Sequence, residues 1–389
     1  AGGWVRDFLL NHPSDDIDIA TNAPPETIQA LFPHTVPIGI AFGIILVILE
    51  GHQFEVATFR RDIEYKDGRR PTRIEFTTAV EDARRRDFTI NGMFYDPIQD
   101  EILDFVEGKA DLEAKIIRAI GNPHDRIQED RLRMIRAVRF ACRFGFQIEA
   151  ETQKAICAHA NELFPAVAIE RIWQEIAKGH DFGKLRPMLI QLHSFGLLGA
   201  IFEELKEVPL LEIEKRLEPI KDYPFDAPVI ASLLPLFPEF SKSEKLDLCK
   251  RLKLSNLEVQ FVSFLDSSSQ LIRDAGARPV ELVEWAYFYA NRFSSICLQI
   301  LGAHLDPRRR IGFLKEHEER MESLSLSVDR IRRHDPVVKS SDLMEAGVQP
   351  GVAMGILLRE ADRIAINEQI HDAGRVVELL KGTPIWPEI

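Results

Sequence analysis

The sequence predicts an α+β protein: a small head built on a mixed β-sheet, followed by a long all-helical body and tail. Three observations carry this expectation. Strand-like runs are confined to about the first 118 residues. From about residue 123 the chain reads as helix after helix, punctuated by Gly and Pro, from "RLRMIRAVRFACRFG" through "ETQKAICAHANELF", "AIERIWQEIAKGH" and "KLRPMLIQLHSFG" to "AGRVVELLKG". No internal repeat or low-complexity segment interrupts that order, and 389 residues suffice for several domains.

The head opens on "AGGWVRD". Two glycines, Gly2 and Gly3, allow a tight turn with exposed backbone N–H groups, and those groups, the following helix and Arg6 suit a polyphosphate. Next comes "SDDIDIAT". On a strand, side chains alternate between faces, so Asp16 and Asp18 share one face while Ile17 and Ile19 share the other. Two carboxylates at that spacing repel unless a cation lies between them. Phosphate donors beside paired carboxylates suit Mg²⁺, which takes one or two carboxylates together with phosphate oxygens and water. "ETIQALF" is a short helix. The apolar run "PIGIAFGIILVIL" is glycine-broken and β-branched and is expected as a buried strand. "IILVILEGHQFEVATF" reads as two strands joined in a hairpin at Gly51, with Glu55 a candidate third carboxylate.

"EDARRRDFTIN" sets three arginines ahead of an apolar strand. Arg85 or Arg86 is suited to phosphates, and Asp87 and Asn91 to a ribose. In "EDRLRMIRAVRFACRFG", a helical wheel places Met134, Ile135, Val138, Ala141 and Cys142 on one side and Arg133, Arg136, Arg139 and Arg143 on the other. Asp130 and Arg133 are i, i+3 neighbours on that wheel. An ordinary solvated face mixes Lys and Arg with Glu. This face is all arginine with one aspartate, and arginine offers planar paired donors.

Composition is that of a folded, soluble-type chain, 45% apolar and 28% charged. No apolar run is long enough to cross a bilayer, so no membrane partner is expected. Net charge is −12, but positive charge is concentrated. Residues 60–73 hold six basic against three acidic residues, and residues 126–143 hold six arginines against Glu129 and Asp130. Cys142, Cys157, Cys249 and Cys297 lack CxxC spacing, so reduced core thiols in a cytoplasmic protein are expected. His180-Asp181 and His334-Asp335 are HD dipeptides without the further His and Asp of a phosphohydrolase, and are expected at helix ends. The four tryptophans are expected as core or surface anchors.

Taken in order, "GGWVRDFLL…DDIDIAT", "EVATFR", "RRDFTIN", "EILDFVEGKADL", "EDRLRMIRAVRF" and "ERIWQEIAKG" resemble motifs A to E of the class II tRNA nucleotidyltransferase and bacterial poly(A) polymerase family. "SSDLMEAGVQPGVAMGILL" is similar to the family's C-terminal region. The resemblance implies a nucleotidyltransferase head at 1–118, a helical neck for nucleotide selection at 119–180, a helical body at 181–265 and a tRNA-binding tail at 266–389. It implies Asp16 and Asp18 as the catalytic, Mg²⁺-binding pair, and Gly2, Gly3 and Arg6 at the triphosphate. It implies that Arg86, Asp87 and Asn91 handle sugar and phosphates. By the same resemblance, Asp130 and Arg133 are expected to hydrogen-bond the Watson–Crick edge of CTP or ATP, with Arg136 and Arg139 as further arginines of that helix. The implied activity is template-independent addition of C, A or both to the 3′ end of tRNA. Poly(A) addition and CC addition are the alternatives. "PIGIAFGIILVI" lacks the arginine-containing "GRRF"-like stretch of the poly(A) enzymes, and residues 60–78 lack the shortening of the CC-adding ones. The chain opens at Ala1 with the family's preceding strand almost absent, so further residues are expected ahead of it.

Overall fold

The computed structural model describes residues 1–12, 14, 17–39, 42–65 and 71–387, with the side chains of 62–65 and 71–73 left aside. Asp16, Lys66, Arg69 and Arg70 therefore lie outside the described residues. The chain divides into two units, Ala1–Arg216 and Leu217–Ile389, a division that falls within the segment 181–265.

In the first unit, α1 (Gly3–Leu9) leads to β1 (Ile19–Thr21), α2 (Pro25–Leu31), β2 (Thr35–Gly39), β3 (Ile44–Leu49) and β4 (His52–Thr58). The strands form one mixed sheet in the order β1-β4-β3-β2. β1 runs parallel to β4, with Ile19 opposite Val56 and Thr21 opposite Thr58. The other pairs are antiparallel. The expected hairpin is present: Leu49 faces His52, and Glu50 and Gly51 both take positive φ, 51° and 82°. That two-residue turn matches the right-handed twist of its strands. Alternation along β3 buries Ile45 and Val47 against Ile28 of α2 and Val56 of β4.

The long apolar run is two strands rather than one buried strand. Gly43 turns the chain at φ 73°, and β2 lies at the sheet edge with Val36 and Ile38 exposed. An edge strand packs on one neighbour only, so β-branched residues there remain half in water.

β5 (Arg60–Tyr65) and β6 (Pro71–Phe76) form a separate hairpin, followed by α3 (Ala79–Arg84) and a 3₁₀ turn at Thr89–Asn91. After β7 (Phe94–Asp96) and β8 (Glu101–Leu103) comes α4 (Gly108–Ala114). Both oxygens of Asp104 accept from the first N–H groups of this helix, at Gly108 and Lys109, each at 2.9 Å. Gly108 lies against the 3₁₀ turn so closely that a Cβ there would stand 2.4 Å from the Thr89 carbonyl oxygen. The Thr89 hydroxyl donates to Asp111 at 2.7 Å.

β9 (Ile116–Ile117) then pairs in parallel with β10 (Gln147–Ile148). Between them run α5 (Pro123–Glu129) and α6 (Arg133–Phe144). The single continuous helix expected over 129–145 is thus broken. Asp130 is extended at φ −147°, ψ 103°, and its carboxylate accepts from the Leu132 N–H at 3.1 Å. This local turn competes with helix continuation. α6 ends at Gly145 in the left-handed conformation, a common helix stop. The unit closes with α7 (Ala150–His159), α8 (Ile169–Asp181), α9 (Leu185–Ser194), α10 (Leu197–Ile201) and α11 (Leu210–Arg216).

The second unit is helical: α12 (Lys242–Arg251), α13 (Asn256–Ala275), α14 (Leu282–Ala290), α15 (Ser294–Ala303), α16 (Pro307–Ser323), α17 (Ser325–Arg333), α18 (Ser340–Glu345), α19 (Val352–Asn367) and α20 (Ala373–Lys381). Ser241 with Glu244, and Ser255 with Glu258, form capping boxes that start α12 and α13. One core gathers Trp285, Tyr289, Leu298 and Leu324, and another Leu343, Leu357 and Leu380. Both HD dipeptides stand at helix ends, as expected. Cys249 and Cys297 are buried, whereas Cys157 is exposed, which corrects the expectation of four core thiols. It occupies an outward position of α7, where a small side chain needs no partner.

Replacing Gly108 with alanine should force α4 off the Thr89–Asn91 turn. The expected loss is about 1–3 kcal/mol, the usual penalty for overpacking a closed contact, read as a lowered midpoint in urea unfolding. An unchanged midpoint would contradict the tightness of this contact.

Candidate active site

The site is built first from glycine. Gly2 takes φ 60°, ψ −116°, and its N–H donates to the Met93 carbonyl at 2.9 Å. A Cβ on Gly2 would lie 2.5 Å from Nη1 of Arg86. Glycine is therefore required twice here, for its backbone angle and for the approach of a guanidinium. α1 then turns Arg6 inward, where it is 4% exposed. Its Nε donates to Asp7 at 2.8 Å and its Nη1 to the Asn91 side-chain oxygen at 2.5 Å. The guanidinium lies over the rings of Phe140 and Phe144, at 5.1 and 4.8 Å.

The arginine turn follows the same logic. Buried Asp82 accepts from Arg85 at 2.7 Å and from Arg86 at 3.1 Å, and Arg86 rests on Phe94. Asp87 accepts from Nη2 of Arg136 at 2.6 Å, and from the Asn91 amide at 3.0 Å. Its side chain is 11% exposed. Burial alone would raise the Asp87 carboxyl. The Arg136 guanidinium, the Asn91 amide and nearby Arg133 outweigh burial and hold it at about 2. Asp87 and Asn91, expected at a ribose, thus also tie the turn to α6 and α1.

On α6, Arg139 is buried and donates to Glu175 of α8 at 2.6 Å. Burial pushes Glu175 up, but Arg139, Arg136 and Lys178 together keep it below the usual carboxylate range. Arg143 pairs with Asp7 at 3.2 Å. Arg133 pairs with Glu129 at 2.7 Å rather than with Asp130. Asp130 is held instead by Arg171 of α8, whose Nη2 donates at 2.7 Å.

These groups wall one cavity of about 680 Å³, within the range of small-molecule sites. Gly3, Arg6, Arg86, Asp87, Asn91, Asp130, Arg133, Arg136 and Arg139 all line it, as does Asp18. Gly2 lies beneath Arg86, and Asp16 is outside the described residues. Among the described residues, eight cationic side chains and three carboxylates line the cavity, so an acidic protein presents a pocket suited to a polyanion. Arg143, Lys178 and Phe182 also line it and were not singled out as site residues from the sequence. Arg143 was visible on the arginine face. Lys178 and Phe182 arrive from α8 and the residue after it, and only the fold brings them in.

Asp18 precedes β1. Carrying the β1–β4 register back one residue sets it beside Glu55, which is exposed on β4. Oxygen donors of this kind suit a hard cation such as Mg²⁺. Among the described residues no three His, Cys, Asp or Glu side chains gather as a metal cage, so a cation at Asp18 would draw further oxygens from phosphate and water.

A mixed sheet with an aspartate just ahead of its first strand, beside an arginine-walled cavity, is the arrangement of the nucleotidyltransferase class. Residues 1–118 match the family described as poly A polymerase head domain, and residues 145–208 the one described as probable RNA and SrmB- binding site of polymerase A. The chain is 32% identical to the CCA-adding enzyme of Enterococcus faecalis, over 97% of this chain and 89% of that protein. It is 34% identical to that of Pediococcus pentosaceus, over 95% and 90%. The crystal structure of the Bacillus stearothermophilus CCA-adding enzyme in complex with CTP superposes with a TM-score of 0.76 at 26% identity, covering 98% of this chain and 91% of that one. The chain belongs to the CCA-adding enzymes, the class II tRNA nucleotidyltransferase family.

The ionised Asp87 carboxylate should contribute stability that is fully present above about pH 4 and is lost as pH falls through about 2. The Asp87→Asn protein should unfold at least about 2 kcal/mol more easily near neutral pH, with the gap closing between about pH 4 and 2. Denaturant unfolding across that range checks it, and a gap independent of pH would contradict the assignment.

Proposed function

We propose that this protein adds C and A to the 3′ end of tRNA without a nucleic-acid template, using CTP and ATP. The single observation that carries the reading is the cavity. Cations for a triphosphate line the same cavity as Asp18, Asp130 and Arg133. In the reaction the tRNA 3′-hydroxyl attacks the α-phosphorus, a new P–O bond forms, and pyrophosphate leaves. Asp18, with Asp16, would hold a divalent cation, Mg²⁺, whose chemistry is to lower the hydroxyl pKa and neutralise the leaving pyrophosphate. Arg6 and Arg86, with the Gly2-Gly3 turn, bind and orient the triphosphate. Asp87 and Asn91 keep Arg136 and Arg6 aimed without rearrangement, so little order is lost on binding.

Base choice follows from donors and acceptors. A carboxylate has about four acceptor sites. On Asp130, Leu132 takes one and Arg171 two. The remaining site accepts the exocyclic amino group of cytosine or adenine, while Arg133 donates to the adjacent ring nitrogen. Uracil presents O4 there instead and would leave the carboxylate against an acceptor, so UTP is rejected. The helical segment 266–389 grips the tRNA by shape and phosphate contacts. A cytoplasmic setting fits the four free thiols, and among the described residues no helix is long and apolar enough to cross a membrane.

Asp16→Ala or Asp18→Ala should reduce incorporation to background while tRNA binding persists in a gel-shift assay; substantial turnover would remove the metal assignment. Asp130→Ala should raise UTP incorporation relative to CTP by at least about tenfold, and unchanged selectivity would remove the base-reading assignment. tRNAs ending before CCA, after C and after CC, each given one labelled nucleotide, define the product. Indiscriminate A-tailing of unrelated RNA would replace this reading with poly(A) synthesis, and a halt after two C residues with CC addition.

A further inference from the structure

We propose that Arg131, Glu162, His159 and His124 form a strap that fixes the helix break at Asp130, and that they are positioning residues for nucleotide choice. The inference rests on reading Asp130 as the acceptor for the base amino group. Arg131 donates through Nε and Nη2 to one oxygen of Glu162, at 3.3 and 3.0 Å. The other Glu162 oxygen lies 2.8 Å from Nδ1 of His159, and Nε2 of His159 lies 3.0 Å from Nδ1 of His124.

Proton bookkeeping sets the direction of this chain. Ionised Glu162 only accepts, so His159 carries its proton on Nδ1. With both rings neutral, its Nε2 is an acceptor and His124 donates from Nδ1. Each contact then joins a donor to an acceptor, and the Arg131 guanidinium, donating twice to one oxygen, balances the charge on Glu162.

The placement gives the chain its use. His124 is in the first turn of α5, and Arg131 lies two residues beyond its end. His159 ends α7, and Glu162 lies in the 3₁₀ turn that follows. Both ends of α5 are therefore tied to the same four-residue stretch. At Asp130 the backbone is extended, and Arg131 and Leu132 then form the turn closed by the Arg133 N–H on the Asp130 carbonyl at 3.0 Å. Anchoring Arg131 to Glu162 fixes this turn, and with it the residue whose carboxylate lines the cavity. Arg171 holds the Asp130 carboxylate itself, while the strap holds the backbone that carries it. Arg131 is 24% and Glu162 43% exposed. Pairs of that exposure add little to stability, so the effect is expected in selectivity rather than in folding.

The test uses the full chain, a tRNA lacking CCA, and single-turnover incorporation of UTP against CTP. Glu162→Gln and Arg131→Ala should each raise the UTP-to-CTP ratio by roughly tenfold, the effect of one lost charge-assisted hydrogen bond. Their melting temperatures should stay within about 2 °C of the parent. Arg131→Lys, which keeps the charge and one donor, should recover most of the discrimination. Asp130→Ala is the reference. If it raises the ratio while Glu162→Gln and Arg131→Ala do not, the strap is overturned and the base reading stands. If Asp130→Ala leaves the ratio unchanged, the base reading falls, and the strap with it. A rise that only tracks a falling melting temperature, without recovery in Arg131→Lys, also overturns the positioning role.

Discussion

The first unit depends on one electrostatic constraint: seven arginines and a lysine must share the wall of a single cavity. Guanidinium groups this close in a low-dielectric setting repel strongly, and no folded chain tolerates them without compensation. Buried carboxylates supply it. Asp7 serves Arg6 and Arg143, Asp82 serves Arg85 and Arg86, Asp87 serves Arg136, and Glu175 serves Arg139 and Lys178. Each acid comes from a different segment of the chain. The ion pairs that cross between elements therefore weld α1, the segment at Asp87, α6 and α8 into one wall.

Aromatic rings do the remaining work of holding these cations. Phe140 lies under Arg6, Arg136 and Arg139, at 5.1, 5.3 and 4.2 Å. Phe182 lies under Arg143 at 4.2 Å. A ring face attracts a cation without neutralising it, so the arginines stay available to phosphate while their rotamers are restricted. A free arginine loses considerable rotamer entropy when it is ordered. Here much of that ordering is complete before any ligand arrives, which is the condition for strong electrostatic catalysis.

The break between α5 and α6 shows how a polar side chain sets a boundary that periodicity hides. The apolar positions of 129–145 keep helical spacing straight through Asp130, so a wheel sees one helix. The aspartate instead closes a short turn onto Leu132 and accepts Arg171 from α8. The extended residue that results turns its carboxylate into the cavity. The same break is why Arg133 reaches Glu129 and the Arg126 and Arg85 carbonyls rather than Asp130.

Much of the architecture was legible from sequence alone because it depends on near neighbours. The hairpin at Gly51 follows from a two-residue turn, the all-helical remainder from its repeated stops, and the arginine face of α6 from spacing. Every described member of the expected site except Gly2 and the candidate carboxylate Glu55 lines the cavity, and Gly2 lies against Arg86. Tertiary structure alone decided the partners: Asp130 with Arg171 rather than Arg133, Asp87 with Arg136, Arg139 with Glu175, and the arrival of Lys178 and Phe182. It also split the long apolar run, putting half at a sheet edge, and left Cys157 in water. The physical reason is range. Backbone turns and helical faces are set by residues a few positions apart, whereas charge pairing is chosen among segments that meet only after the chain has folded.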